Sequence, residues 1–309
     1  MSALAAIVKC VDHVVIQVED PEPLFSLFTG PLDLPVAWPI QRGDWYTSGG
    51  ICVGNACLEI AEIAHIDRRR RRVARNAHLL GIALLPIGLD ASLRELVMRG
   101  IPHSLPVPHF GEHADGTRSV RWTNVLLGGL AGEGGSILLR SRWWTQGTPI
   151  GRALAALSRI TFRSYWASLA WSDTGRFAVY MRDYAPELVE ALAEQQAVFS
   201  ERRGGPLELV GLAEVIVGAV HPERVRQRWQ NLLAPLLPVD RGYWQPASGP
   251  GLRIVPHDED TLLAIVLRTR SLARAEAWLR EAQMLGGVVA GQVTIDRAAV
   301  CGLDIRLTE

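Results

Sequence analysis

Residues 11–22 read VDHVVIQVEDPE. The run from Val11 to Val18 is rich in β-branched side chains and predicts a strand. A helix start follows it, with Asp20 placed as N-cap, Pro21 at the first helical position and the acidic Glu22 in the first turn. Leu24, Phe25, Leu27 and Phe28 give that helix one apolar face, and Gly30-Pro31 ends it. Residues 36–38, 45–47, 50–53 and 56–61 then read as three or four short strands separated by turn residues. The unit is βαβββ.

The same order returns two hundred residues on. Residues 213–223 (AEVIVGAVHPE) overlay 12–22 (DHVVIQVEDPE), with Pro222-Glu223 on Pro21-Glu22. Trp229 falls on Phe28, Tyr243-Trp244 near Trp45-Tyr46, and Leu252-Arg253-Ile254 on Leu58-Glu59-Ile60. Order and spacing together mark an internal repeat. Two weaker copies fill the gaps. Residues 81–100 read strand then helix, closed by Gly100. Residues 262–268 read as a strand and 271–285 as a helix, with Leu303-Asp304-Ile305 again resembling Leu58-Glu59-Ile60. The expected fold class is therefore α+β, four βαβββ modules in two pairs. The first pair occupies 1–203 and the second 204–309, joined near Arg203-Gly204-Gly205-Pro206 after a helix from about 186 to 202. An insert at 129–175, rich in Gly, Arg and Trp, interrupts the second module and reads as a lid over a pocket or as a packing or homodimer surface.

Composition narrows the function. The chain has 309 residues, 48% of them hydrophobic, with 32 basic and 32 acidic side chains. That excludes disorder and fibrous classes, and a balanced charge gives no field to steer nucleic acid. No apolar stretch reaches the ~18 residues of a membrane helix, and no signal peptide is read at the start. Cys10, Cys52, Cys57 and Cys301 lie at no metal-ligand spacing and read as reduced thiols of a cytoplasmic protein. The run Arg68–Arg72 reads as a solvated connector, and His103, His109 and His113 as a loop at the surface or a pocket edge. Neither a phosphate loop nor a nucleophile elbow occurs.

With Asp12-His13 on the first strand, Asp20-Pro21 at the helix start and the Gly49-Gly50 to Glu59 run ending in LEI, the sequence resembles the vicinal oxygen chelate superfamily, the glyoxalase and bleomycin-resistance fold. The resemblance implies that paired modules curl into half-barrels whose concave faces hold a divalent metal between first-strand and last-strand ligands. Carried over residue by residue, it implies His13 and Glu59 as ligands in the first module. In the second module Gly81 takes the first-strand place and can ligate nothing. Asp183, in the last strand placed at 177–184, becomes the remaining ligand and catalytic candidate with Glu59, and His78 is within a register slip. In the second half Glu214, Ala264, Asp304 and Arg253 take the four places. Arg253 is a permanent cation where an anion would be needed, so an ion pair with Glu214 or Asp304 is expected there instead of a metal.

The leading expectation is a metal-dependent isomerase, epimerase, lyase or dioxygenase acting on a small substrate with vicinal oxygens, with Zn, Fe, Mn or Ni as Lewis acid. The alternative is a metal-free small-molecule binding protein of the sequestering kind. Gly81, Arg253 and the abundance of tryptophan favour it, and Trp45 and Trp122 would be the pocket walls. A purely structural or partner-binding role is the third class.

Overall fold

The first β-branched run forms strand β1 (Val8–Gln17), and the Asp20 carboxylate caps helix α1 (Pro21–Thr29) by accepting from the Glu22 amide at 3.1 Å. The structure, a computed structural model, describes residues 4–42, 46–63, 77–112, 115–130, 177–289 and 291–309. Trp45, the arginine run at 68–72, His113 and nearly all of the expected insert lie outside the described residues.

Three strands complete the first module: β2 (Val36–Arg42), β3 (Tyr46–Cys52) and β4 (Cys57–Ile63). The second has β5 (His78–Pro86), α2 (Leu89–Met98), β6 (Val107–Glu112), β7 (Arg118–Leu127) and β8 (Ala178–Tyr184). Helix α3 (Pro186–Glu201) leads to the second half, which holds β9 (Leu209–Ala219), α4 (Pro222–Leu233), β10 (Tyr243–Trp244), β11 (Gly251–Pro256), β12 (Thr261–Thr269), α5 (Leu272–Glu281), β13 (Leu285–Val289), β14 (Gln292–Ile295) and β15 (Ile305–Thr308). The first eight strands make one sheet, ordered β2-β3-β4-β1-β5-β8-β7-β6, and the other seven make a second, ordered β10-β11-β9-β12-β15-β14-β13.

Both sheets follow one plan. The opening strand of each module pairs in parallel with the last strand of its own module, and antiparallel with the opening strand of its neighbour. The first sheet curls into a half-barrel. Alternation then sorts the side chains: Val14 and Ile16 of β1, with Val215 and Val217 of β9, join one core that runs through both halves on the helix-bearing faces. Phe28 and Trp229 are both fully buried there; each contributes on the order of 3 kcal/mol, and truncation to Ala costs about 3–5 kcal/mol. Val15, Ala61, Ala83, Ala178 and Tyr180 form a separate small cluster on the opposite, concave face. Among the described residues, no helix is long and apolar enough to cross a membrane.

Candidate functional site

The site lies on the concave face of the first sheet, and an irregularity in β1 builds its floor. Val11 pairs with Leu84 but His13 pairs with the next residue, Ala83, so Asp12 is an extra residue in the ladder. A bulge re-aims side chains locally, and here Asp12 and His13 reach the same group. His13 is fully buried, with an oxygen at each ring nitrogen: Asp12 Oδ2 lies 2.5 Å from Nδ1, and the Tyr180 hydroxyl 2.7 Å from Nε2. Tyr184 donates its hydroxyl to the same Asp12 oxygen at 2.7 Å. Trp38 closes the other side edge-on to His13, 6.2 Å between centroids. Gly50 makes this approach possible, because a Cβ there would lie 2.3 Å from the Trp38 ring.

Glu59 faces the same cleft from β4. Its Oε2 lies 3.1 Å from His13 Nε2 and 3.6 Å from Arg182 Nη1. The Arg182 approach is a charge contact; His13 Nε2 is hydrogen-bonded to Tyr180, and Oε2 has no hydrogen-bond partner among the described residues. Burial alone would raise the Glu59 carboxyl; Arg182, then His13 and a Ser48 hydrogen bond, outweigh it and hold it at about 2. Asp12 is likewise held below its ordinary value, with His13 and Tyr184 overcoming burial. Burial pushes the Tyr180 hydroxyl up, so it stays a neutral phenol. Arg182 remains a cation despite its burial, supported by Tyr180 and Glu59. Its guanidinium donates to Asn124 Oδ1 at 3.1 Å and lies over the rings of Trp122 and Tyr180 at 5.3 and 5.4 Å. Trp122 stacks on His109 at 5.3 Å between centroids, and burial with the Arg182 charge lowers that imidazole to about 4. Tyr46, Ala61 and Ile63 complete the lining of a small, half-open cleft over these groups.

The structure brings together His13, Glu59 and Trp122 of the expected residues, and not Asp183. Side chains alternate along a strand: Tyr180, Arg182 and Tyr184 of β8 meet the site, whereas Asp183, between them, is directed away. Burial raises its carboxyl and the like charge of Asp90 at the start of α2 adds to that. His78 pairs with Gln17 at the far end of β5 from Ala83, so no slip brings it in. His103 hydrogen-bonds its Nδ1 to the Ile101 carbonyl at 2.8 Å, and His109, expected on a loop, lies on strand β6 and lines the cleft. The sequence reading missed Asp12, Tyr180, Arg182 and Trp38.

Register shows what stands in the four positions expected to carry ligands. Val15 pairs with Glu59 on β4, and Ala83, its counterpart on β5, pairs with Tyr180 on β8. The pairs His13–Ala83 and Val15–Gly81 exchange under the local twofold. The positions therefore hold an imidazole (His13), a carboxylate (Glu59), no side chain (Gly81) and a neutral phenol (Tyr180). A divalent ion bound by protein needs about three such donors even in an open catalytic site, and among the described residues no three His, Cys, Asp or Glu side chains are grouped to hold one. Tyr180 engages the nitrogen that would ligate, and a guanidinium stands beside the carboxylate. This donor set does not fit a resident divalent ion.

In the second half the same register puts Arg253 opposite Ile216 and Arg306 opposite Val266. Both last-strand places are arginine. Asp304, expected in one of them, lies two residues earlier and accepts from Arg306 at 2.9 Å. Arg253 is paired with Glu214 by two hydrogen bonds and lies 4.3 Å over the Tyr243 ring.

No family model and no curated protein matches the chain. Among solved structures it is similar to 4-hydroxymandelate synthase from Streptomyces coelicolor, in a mutant form (10% identity, TM-score 0.57, 97% of this chain and 92% of that one). It is similar also to the 2,3-dioxygenase LapB from Pseudomonas sp. KL28 (11% identity, TM-score 0.54, 98% and 92%). A third is the Mn(II)-bound glyoxalase from Novosphingobium aromaticivorans (11% identity, TM-score 0.50, 98% and 83%). Likeness at this level of identity establishes the fold, and a shared fold does not carry a shared site.

Proposed function

We propose, for a chain with the vicinal oxygen chelate fold, that the first half-barrel binds a small organic ligand without a resident metal, Arg182 supplying the positive charge. The observation that carries this reading is the guanidinium 3.6 Å from Glu59, among groups that leave only two metal-type donors in the four positions. Guanidinium recognises an anionic oxygen in a plane, and low local polarity strengthens the contact. The stacked Trp122–His109 pair offers a flat apolar wall beside it. Trp122 Nε1 is a buried donor with no partner among the described residues, and Glu59 is an ionised acceptor. The complementary ligand is flat, carries an anionic or strongly polar oxygen for Arg182 and Trp122, and has an O–H or N–H for Glu59.

A second reading rests on a different observation. Asp12, His13 and Tyr180 are hydrogen-bonded in line, an arrangement able to move a proton at a bound ligand. It supports metal-independent acid–base turnover; metal-dependent isomerase, lyase or dioxygenase chemistry has the donor count against it.

The test is metal analysis of protein purified without chelator, followed by calorimetry with planar aromatic carboxylates and their uncharged amides. We expect substoichiometric Zn, Fe, Mn and Ni, and carboxylate binding that survives chelator treatment and weakens about 10–100-fold in Arg182→Met, matching ~1.5–3 kcal/mol for a hydrogen bond to a charged group. A stoichiometric ion that disappears in His13→Ala would overturn the reading.

A further inference from the structure

We infer that Cys52 and Cys57 are a modification site, a thiol pair that closes to a reversible cross-strand disulfide under hydroperoxide. They are direct partners in the β3–β4 hairpin. The neighbouring bonds define the kind of pair they form. Val53 donates to the Ala56 carbonyl at 3.0 Å, so that pair is hydrogen-bonded, whereas the Cys52 amide points the other way and donates to the Pro35 carbonyl at 2.9 Å. Cys52 and Cys57 therefore sit at a non-hydrogen-bonded position, where facing Cα atoms are about 4.5 Å apart. That lies within the roughly 4.4–6.8 Å a disulfide spans. Both thiols are free, and they are close enough to hydrogen-bond to each other.

Cys57 lies on the concave side of β4, while Cys52 packs in contact with the main core. Cys57 is the β4 partner of His13, and Glu59 follows two residues later. Cys52 is 1% exposed and Cys57 half-buried; the hydrogen bond with Cys52, burial and the nearby Asp12 and Glu59 charges raise the Cys57 thiol, so it is access and not acidity that makes Cys57 the sulfur a small oxidant reaches first. Its sulfur, after losing a proton to solvent, attacks one peroxide oxygen. The O–O bond breaks, hydroxide leaves and is protonated to water, and Cys57 becomes a sulfenic acid. Cys52 sulfur then attacks Cys57 sulfur, the S–O bond breaks, and hydroxide departs with the Cys52 proton as a second water. Two thiols lose two electrons and one hydrogen peroxide gains them. The two residues already face each other, so the closure needs no change of strand register.

The experiment treats the folded full-length chain with hydrogen peroxide and reads intact mass, free thiols after denaturation, and the linked peptides. The expected product is lighter by two hydrogen atoms, has lost two of the four thiols, links position 52 to 57, and reverts with dithiothreitol. A Cys10→Ser/Cys301→Ser variant should behave identically, while Cys52→Ser should stop at a dimedone-reactive sulfenic acid on Cys57. Four thiols remaining, a linkage to Cys10 or Cys301, or oxidation running straight to sulfinic acid in the unaltered chain would each overturn the inference, and none of these needs a variant to fold.

Discussion

Arg182 Nη1 lies 3.6 Å from Glu59 Oε2 although β8 and β4 are separated in the sheet by β1 and β5. Three strand spacings in a flat sheet would put these strands about 14 Å apart, at ~4.8 Å each. The curl of the half-barrel closes that gap, so the ion pair is both a product of the curvature and a brace across it. The first prediction follows from its burial. Replacing Arg182 by Met leaves Glu59 charged beside little water, and breaking such a pair costs about 3–5 kcal/mol. Urea unfolding of Arg182→Met should show that loss; a change below about 1 kcal/mol would mean the pair is solvated. Arg182→Lys keeps the charge without the planar fork and should fall between.

The Glu59 carboxyl sets an acid limit on stability. Its folded value of about 2 is below its ordinary 4.5, so the unfolded chain takes up the proton first as pH falls. The stabilisation is fully present above the unfolded value and is lost as pH drops from about 4.5 through about 2. At ~1.4 kcal/mol per unit the shift corresponds to about 3 kcal/mol, and Asp12, also held low, acts in the same direction. Stability measured by denaturant at stepped pH should fall through this window, and less steeply in Glu59→Gln. Parallel curves for the two proteins would show that Glu59 is not the titrating group.

Much of the fold was legible because its signals are local. The Asp20-Pro21 cap, the β-branched run before it and the matching Pro222 helix start are determined by nearest neighbours, and they recur at repeat spacing. The site was legible only where its chemistry resembled a metal site. In Phe177–Tyr184 the acid that a metal site calls for is Asp183, which has the wrong phase of the alternation. Tyr180 was readable in principle, since shifting Val15 to Ala83 and counting along the parallel partner leads to it. Arg182 was harder, because nothing local says that a cation will meet Glu59 across two intervening strands. The extra residue at Asp12 left no trace in sequence, for VDHVV reads as regular strand and the bulge exists only in the pairing with β5.

The second sheet should contribute stability and leave the first site alone. Arg253 is partly exposed, with 33% of its side chain accessible, against 15% for Glu214. Solvent screening discounts such a pair, and the Tyr243 ring adds about 0.5–1 kcal/mol. Arg253→Ala should therefore cost about 1–2 kcal/mol in unfolding measurements, with ligand affinity of the first half unchanged within about twofold. A stable variant that has lost ligand binding would relocate the functional site to the second half.

If Gly81 and Tyr180 are what keep a metal out, restoring donors at those two positions should let one in. Gly81 is not in the left-handed region, and a Cβ there would lie 3.4–3.6 Å from Ala178 and Val15, ordinary contact, so a side chain can start from this position. Tyr180→Glu removes the phenol from His13 Nε2 and places a second carboxylate within reach of Arg182, which balances part of its charge. With Gly81→His the set becomes two imidazoles and two carboxylates, enough for a tetrahedral ion. Cobalt(II) is the informative probe, because its visible absorption reports coordination number and geometry directly. The double variant should bind one equivalent and hold it through gel filtration, and the unaltered chain should not. His13→Ala in the double-variant background should abolish the spectrum. A double variant that keeps its circular dichroism but binds no cobalt would show that donor identity is not the obstacle, and would point to the fixed charge of Arg182, testable by adding Arg182→Leu to the same protein.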